Sequence, residues 1–462
     1  MIAALVAGLL LAVPAPALTP TLTLGQALHE ARADNPDLKA MRARLAQAHE
    51  MAKKLWASYL PHLSAAGSYT YNNVEATFSL PAGYYVRDVL SPQGPPASPE
   101  GTPFSPQHPP GMPSDYIIYP SGFESLTVQK KNQVGGQIEL RQALLAPSLV
   151  PAIQAAYLGE EEVSLDLVHA RRQVLFAVAQ LYYGAVAARE ATRVQEEQLA
   201  TQRAHIEDAK VRLKAGTVPK IVLLRAQIDE AAAEQDLVRA KNAYLSAKSA
   251  LAALLARDPD FEVKRPPDPP PPPPLGDLEK LATRRADVLA AEKGLEAAQE
   301  GSTAAKLGYL PTLGLDAAYR ASNVSGFTAS DTSWFVTLGL DWTLYDGGLR
   351  EADLREAGDK EAEAQAEVES ARVKAEDELR RARLDYESAR ANQRKATEEE
   401  KLARENQQLV MVGFRAGATT ELQVDDANTE LRRAELGRIA ETLDAQLAVL
   451  ELAHAAGTFD PK

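Results

Sequence analysis

The sequence repeats itself, and this repeat constrains the possible folds more than any other feature of the chain. Residues 37–73 align without a gap with residues 287–323, and Tyr-Leu-Pro occurs in both copies, at 59–61 and at 309–311. Farther along, Ala215-Gly216-Thr217 aligns with Ala416-Gly417-Ala418. Self-similarity of this length predicts two copies of one structural unit.

The repeat sets the predicted domains. We expect a first structural repeat over residues 18–258, a proline-rich linker over 259–276 and a second structural repeat over 277–462. The linker composition favours an extended polyproline spacer. Residues 1–17 combine an apolar run with the small-residue pattern Ala15-Pro16-Ala17, which predicts a secretory signal peptide. An N-terminal membrane anchor is the alternative, but the apolar run is too short to span a bilayer comfortably.

Each repeat contains two segments in which apolar and polar residues alternate, the pattern of a half-exposed β-strand. The segments predict strands at about 63–73, 132–142, 312–321 and 333–343. In the first repeat an insert rich in Pro, Ser and Tyr, residues 74–129, separates the two strands.

Each strand pair precedes a long segment almost free of helix breakers, followed by a second helical segment. The predicted helical hairpins cover residues 149–257 and 349–455, and they turn at Gly216 and Gly417, where glycine favours a helix end. A first helix of roughly 65 residues would be about 100 Å long. The predicted fold is mainly α with a β part, in two tandem repeats that each run helix, strand, strand, long helix, helix.

Four strands of this kind cannot form a closed membrane barrel alone. A free strand edge in lipid leaves backbone groups unpaired at several kcal/mol each, and about eight strands is the usual minimum. Trp334, Trp342, Tyr69 and Tyr319 lie on the strands and predict an aromatic belt at the membrane boundary. We therefore predict a transmembrane β-barrel shared by several copies of the chain. A soluble β-sandwich is the alternative, since its strands alternate equally.

The composition excludes several classes of protein. A net charge of −13 argues against a nucleic-acid partner. The chain has no cysteine, which excludes disulfides and thiolate metal sites. Its histidines form no metal-binding pair, and no P-loop or serine-nucleophile motif occurs. We predict no enzyme activity, no catalytic residue, no cofactor and no metal.

The duplicated plan resembles the TolC family of outer-membrane efflux proteins. The resemblance rests on Asn35-Pro36-Asp37, on Tyr-Leu-Pro before each outgoing strand, on Leu-Tyr-Asp-Gly-Gly at 344–348 and on Arg415-Ala416-Gly417 at the second helical turn. It implies a homotrimer in which three copies of four strands form the barrel and three copies of four helices form a periplasmic tunnel. The implied partners are a periplasmic membrane-fusion (adaptor) protein, an inner-membrane RND, ABC or MFS transporter, and outer-membrane lipid.

The function implied by this resemblance is an exit duct of a tripartite efflux pump or a type I secretion system. Such a duct passes small molecules such as drugs, or proteins, from the adaptor and pump to the exterior. A structural periplasmic coiled coil or adaptor without channel activity is the alternative. The insert 74–129 would lie outside the cell as a plug, a receptor surface or an unstructured loop, and we expect the loop.

The resemblance also implies a periplasmic gate near the helical turns, where acidic rings close the tunnel in the family. Asp426 matches the inner of two family aspartates by its motif, whereas Gln423 stands in place of the outer one. Asp425 and Glu421 add negative charge, and Arg225 occupies the matching position of the first repeat and is expected to pair with Asp426. Acids that merely complement a helix N-terminus are the alternative.

The exposed turns at Gly216 and Gly417 are the predicted adaptor-docking sites. A plain helix C-cap is the simpler explanation for each glycine, and the two roles are compatible.

Overall fold

The computed structural model describes residues 20–88, 116–324 and 330–460. The predicted signal peptide, residues 1–17, lies outside these ranges. The chain divides into two compact units. The helical unit comprises Met1–Met51, Gln154–Glu300 and Ala357–Lys462, and the strand-rich unit comprises Ala52–Ile153 and Gly301–Glu356.

The described ranges contain eight helices, which occur in the predicted order. They are α1 (Leu24–Asp34), α2 (Pro36–Tyr59), α3 (Leu149–Lys214), α4 (Lys220–Leu255), α5 (Leu275–Ala282), α6 (Ala286–Leu307), α7 (Leu349–Arg415) and α8 (Glu421–Ala455). Their long members, α3 and α7, have 66 and 67 residues, close to the predicted length. No helix of the described part of the chain has an apolar stretch long enough to cross a membrane.

Eight strands accompany these helices in the described ranges. They are β1 (Thr21–Leu22), β2 (His62–Tyr71), β3 (Ala76–Asp88), β4 (Tyr116–Gln129), β5 (Asn132–Leu145), β6 (Glu262–Val263), β7 (Thr312–Ser322) and β8 (Thr332–Asp341). The repeated order of helix, strand, strand, long helix and helix is therefore confirmed. The strand ends differ by up to three residues from those predicted, and Trp342 falls just beyond β8.

Four strands form one antiparallel sheet in the order β2-β5-β7-β8. The two repeats meet inside this sheet, because β5 of the first pairs with β7 of the second. Ile138 thus lies opposite Ala65 on one side and opposite Tyr319 on the other. Each outer strand, β2 or β8, pairs on one side only, so the sheet has two open edges within the single chain.

The insert 74–129 is more ordered than expected. β3 and β4 pair as an antiparallel hairpin that forms its own two-stranded sheet, so the expectation of an unstructured loop is wrong for these residues. Aromatic and β-branched residues are dense in both segments, as in Tyr-Ile-Ile-Tyr at 116–119, and they favour strands. The register shifts beside Pro81, which has no N–H to donate. Residues 89–115 of the insert lie outside the described ranges.

The predicted linker is not only a spacer. β6 lies within it and pairs in parallel with β1, which joins the start of the first repeat to the linker. Phe261 and Val263 are fully buried beside this pair. The Tyr182 hydroxyl of α3 lies 2.6 Å from the Lys264 carbonyl oxygen, so it satisfies a backbone group next to the short sheet. Residues 264–274 that follow have neither helix nor strand.

The core of the helical unit lies where α3 meets α1, α4 and the chain end. It contains Leu175, Val178, Tyr182, Leu251 and Phe261. The two hairpins contact each other through α3 and α8, since Phe176 stacks on His454 with the ring centres 4.7 Å apart. Along α7 the buried residues are mostly alanine, which lets helices approach closely.

Candidate functional site at the helical turns

The first helical turn has a geometry that requires glycine. Gly216 has φ +73°, the left-handed region. Its N–H donates to the Leu213 carbonyl (3.0 Å), and the Thr217 N–H donates to the Arg212 carbonyl (3.0 Å). This pair of bonds is the Schellman motif, which satisfies the last carbonyls of a helix.

The second turn reproduces the first bond for bond. Gly417 has φ +76°, its N–H donates to the Phe414 carbonyl (3.1 Å), and the Ala418 N–H donates to the Gly413 carbonyl (2.8 Å). A side chain built on Gly216 or Gly417 would meet only open space. Backbone conformation therefore explains both glycines, and their role as adaptor-docking sites stays a prediction.

The start of α8 explains the glutamine that stands in place of a family aspartate. The Gln423 side chain accepts a hydrogen bond from the Thr420 N–H (2.8 Å), and the Gln423 N–H donates to the Thr420 hydroxyl (3.4 Å). This reciprocal pair is a capping box, in which Gln serves as well as an acid. Gln423 therefore has a structural role at the helix end.

Asp425 differs from the other predicted gate residues in its surroundings. Its side chain is half-buried, and burial raises the pKa of its carboxyl, as do the nearby charges of Asp229 and Glu421. His205 and Arg225 oppose this rise in pKa without cancelling it. Three acids from α4 and α8 thus act on one another at the turns, and negative charge dominates around Asp425.

Asp426, Glu421 and Arg225 are all exposed. The expected Arg225–Asp426 ion pair is not among the ion pairs formed within the described chain, and Arg225 instead acts electrostatically on Asp425. Asp426 follows Asp425 by one residue, which is about 100° around a helix, so it faces away from the first hairpin. Asp425, Asp426, Glu421 and Arg225 were predicted to form one site. Within a single chain only Asp425, Glu421 and Arg225 lie close together.

A cleft of about 330 Å³ lies between the two turns. Residues from α3, α4, α7 and α8 line it, and they include Asp425, Glu421 and Arg225 of the predicted gate. Asp426 and the turn glycines do not line it. The site is therefore built from both repeats of one chain.

One contact that sequence reasoning missed joins the two repeats at this cleft. The Arg212 guanidinium of α3 lies over the Phe414 ring of α7, 5.4 Å from its centre. Asp208 fixes the same guanidinium through an ion pair of 2.8 Å. No sequence signal indicates this contact, because the repeat offset aligns Arg212 with Gly413 rather than with Phe414.

A second missed feature does carry a sequence signal. Arg203 of α3 pairs with Glu234 of α4 at 2.9 Å, and Arg404 of α7 pairs with Glu435 of α8 at 2.7 Å. Both residues of the first pair reappear 201 positions later, so the repeat alignment could have found them. Equivalent ion pairs therefore tie the two arms of each hairpin together.

The predicted aromatic belt lies on exposed positions of the strand-rich unit. Tyr319 and Trp334 are directly opposite each other on β7 and β8, and Trp334 is 74% exposed. The Tyr69 hydroxyl donates to Asn132 (2.9 Å), and the Trp342 indole donates to the Tyr309 carbonyl (3.1 Å). Exposed aromatic groups with a satisfied polar end are typical of a membrane interface.

Solved outer-membrane channels share this fold over nearly the whole chain. The outer membrane protein VceC of Vibrio cholerae superposes with a TM-score of 0.72, at 20% identity, over 94% of this chain and 96% of that one. The CmeC outer membrane channel of Campylobacter jejuni superposes with a TM-score of 0.72, at 15% identity, over 95% and 87%. This is the TolC-like fold that the sequence predicts.

The sequence also matches a known family over part of its length. Residues 278–458 match the family described as outer membrane efflux protein. Protein CyaE of Bordetella pertussis is 29% identical over 252 residues, which cover 52% of this chain and 53% of that protein. The chain therefore spans about half the length of this curated relative. The matched segment and the shared fold both support an outer-membrane location.

Proposed function

We propose that this chain is one copy of a homotrimeric exit duct in the outer membrane, with a barrel made of shared strands and a tunnel made of shared helices. The observation that carries the proposal is a pair of exposed apolar surfaces on α4 and α7, whose residues match in height above the helical turns. A second copy of the chain is the occupant proposed for each surface.

The first surface is a seam on α4 with the spacing of a coiled coil. Ile221 and Ile228 are seven residues apart, and Leu224, Val238 and Leu245 differ by multiples of seven. All five are exposed, Ile228 by 69%. Such a seam normally packs against another helix, and α3 contacts a different side of α4, through ion pairs such as Arg203–Glu230.

The second surface lies on α7. Its exposed apolar residues are Val373, Leu384, Leu402, Leu409 and Val412. The spacings of 11, 18 and 7 along most of this set are close to whole helical turns, so the residues share one side of the helix. The opposite side carries the buried alanines.

Residues of the two surfaces lie at equal distances from their helical turns. Ile221 follows Gly216 by five residues, and Val412 precedes Gly417 by five. Leu224 follows Gly216 by eight residues, and Leu409 precedes Gly417 by eight. Helix α4 leads away from its turn, whereas α7 leads toward its turn. Ile221 and Val412 are therefore equally far from the turns along the helix axes, and so are Leu224 and Leu409. The seam of one copy can therefore pack antiparallel on α7 of the next.

The four-stranded sheet is also incomplete within the described part of one chain, since its outer strands lack a partner on one side. Its edges β2 and β8 have unpaired backbone groups, and pairing β2 of one copy with β8 of the next removes both edges. Apolar side chains such as Leu338 and Leu340 are exposed on β8 and suit contact with lipid. Three copies would supply a 12-stranded barrel, within the range of membrane barrels.

The remaining parts of the proposal follow from the family. The duct would receive drugs or proteins from a periplasmic adaptor and an inner-membrane RND, ABC or MFS transporter, as part of an efflux pump or a type I secretion system. The turns at Gly216 and Gly417 would meet the adaptor. Asp425 and Asp426 from three copies would surround the axis near these turns and favour cations.

Planar-bilayer recordings of the purified protein test this function. We expect stepwise, cation-selective conductance from a homotrimer in detergent. A monomer that never conducts would overturn the duct and would favour the alternative, a structural periplasmic coiled coil.

A further inference from the structure

We propose that the cleft between the two helical turns binds an amphipathic organic ammonium ion, with its apolar body between the hairpins and its charged nitrogen at Asp425. This site lies within one chain and shares Asp425 with the proposed gate, but binding there does not require the trimeric duct.

The size and walls of the cleft suit such a ligand. Its volume of about 330 Å³ is at the lower end of ordinary small-molecule sites. Val222 of α4, Met411 and Phe414 of α7 and Val424 of α8 supply apolar side chains on facing elements. A methionine and a phenylalanine together adapt well to an apolar ring.

The acidic part of the cleft suits a positive charge. Asp425 and Asp229 approach from different hairpins, and Glu421 lies one turn of α8 before Asp425. Asp425 has no ion pair with another described residue. Burial raises the pKa of Asp425 most, and repulsion from Asp229 and Glu421 raises it further; a cation there would relieve this repulsion.

The arginines that line the cleft do not neutralise the acidic region around Asp425. Arg212 is held by Asp208 and by the Phe414 ring, so its charge is already compensated. Arg225 and Arg415 are exposed to solvent. Burial and the charges of Asp229 and Glu421 raise the carboxyl pKa of Asp425 despite His205 and Arg225, so an anion would be disfavoured.

An independent observation points to a missing hydrogen-bond partner. Gln202 of α3 lines the cleft, is only 8% exposed and makes no side-chain hydrogen bond with the described residues. An amide in a side chain this buried normally has a hydrogen-bond partner, and the amide of Gln202 can reach one only in the cleft. A ligand that carries N–H donors supplies one to the amide oxygen of Gln202, and a water molecule is the competing occupant.

Calorimetric titration of the full-length protein in detergent tests the site. The probes are 4-phenylbutylammonium chloride and 4-phenylbutan-1-ol, which have the same apolar body and differ in charge. We expect saturable binding of the ammonium with a dissociation constant near or below about 1 mM. The alcohol should bind at least about tenfold more weakly, since it lacks the charge-assisted contact.

Two matched variants locate the binding. Asp425→Asn should weaken ammonium binding about tenfold, whereas Asp426→Asn, the adjacent acid outside the cleft, should leave it unchanged. If a variant folds poorly, the comparison of the two probes on the unaltered protein still tests the proposal. Equal binding of both probes, equal losses in both variants, or no saturable binding up to about 10 mM would overturn the proposal and leave water as the occupant.

Discussion

Arg212 and Phe414 belong to different repeats, and the guanidinium of the first lies 5.4 Å from the ring centre of the second. Asp208 orients that guanidinium. The contact joins α3 to α7 beside the turns, so it couples the two hairpins of one chain where the gate is expected.

Replacing Arg212 with Gln should loosen the turns. A cation–π contact at a partly exposed site contributes about 0.5–1 kcal/mol, so hydrogen exchange of the amides near 411–418 should accelerate about two- to fivefold. The control is Arg193→Gln on the same helix, because within the described ranges Arg193 pairs only with Glu190 and Glu197 of α3 itself. Equal exchange rates in the two variants would contradict the coupling.

Asp426 should limit conduction if three copies surround the axis. Asp426→Ala removes an exposed carboxylate from each copy, so single-channel conductance should rise and cation selectivity should fall. Asp444→Ala is a matched control, since Asp444 is exposed on the same side of α8 about 27 Å farther along the helix. Unchanged conductance and selectivity in Asp426→Ala would remove Asp426 from the gate.

The turn glycines should resist substitution for a backbone reason. Gly417→Ala places a Cβ on a residue with φ +76° and should destabilise the turn by about 1 kcal/mol, although no atom obstructs the side chain. Gly437→Ala, in the interior of α8 with open space around it, should instead be neutral or stabilising by up to about 1 kcal/mol. Local hydrogen exchange measures both, and a harmless Gly417→Ala would refute the conformational explanation.

His454 should make the helical unit sensitive to acid. Burial, together with the smaller effect of the Arg285 charge, lowers the pKa of His454 from 6.5 to about 4. Because the folded state disfavours the protonated ring, the unfolded state binds the proton first as the pH falls below about 6.5, and stability declines until about pH 4.

Phenylalanine at position 454 removes the titrating group and keeps the stacking on Phe176. His454→Phe should therefore flatten the decline in melting temperature between pH 6.5 and pH 4. His29→Gln, at an exposed position of α1, should leave the slope unchanged. An identical slope in His454→Phe and the unaltered protein would show that another group is responsible.

The sequence predicted what depends on local chemistry and on repetition. Local motifs locate the strands and the helix ends, since their effects act within a few residues. They are Tyr-Leu-Pro before each outgoing strand and Gly216 and Gly417 at the turns. Contacts between the repeats were not predictable, because Arg212 and Phe414 are not equivalent positions. The β3–β4 hairpin was missed since the proline and serine content of the insert outweighed its aromatic residues. The ion pair expected between Arg225 and Asp426 of neighbouring hairpins does not form within one chain, because adjacent helical residues face different directions, and its formation between copies stays a prediction.

The chain has no cysteine, so a disulfide can be introduced between the surfaces proposed to join neighbouring copies. Leu224 and Leu409 are eight residues from their turn glycines and are 47% and 67% exposed. In a closed ring, Leu224→Cys of one copy meets Leu409→Cys of the next, and each single variant lacks a partner.

Oxidation of the double variant, followed by denaturing electrophoresis, tests the ring most directly. We expect cross-linked species of two and three copies and none larger, with each single variant remaining monomeric. A double variant that stays monomeric, or a Leu224→Cys single variant that forms dimers, would contradict the pairing of α4 with α7 of a neighbouring copy.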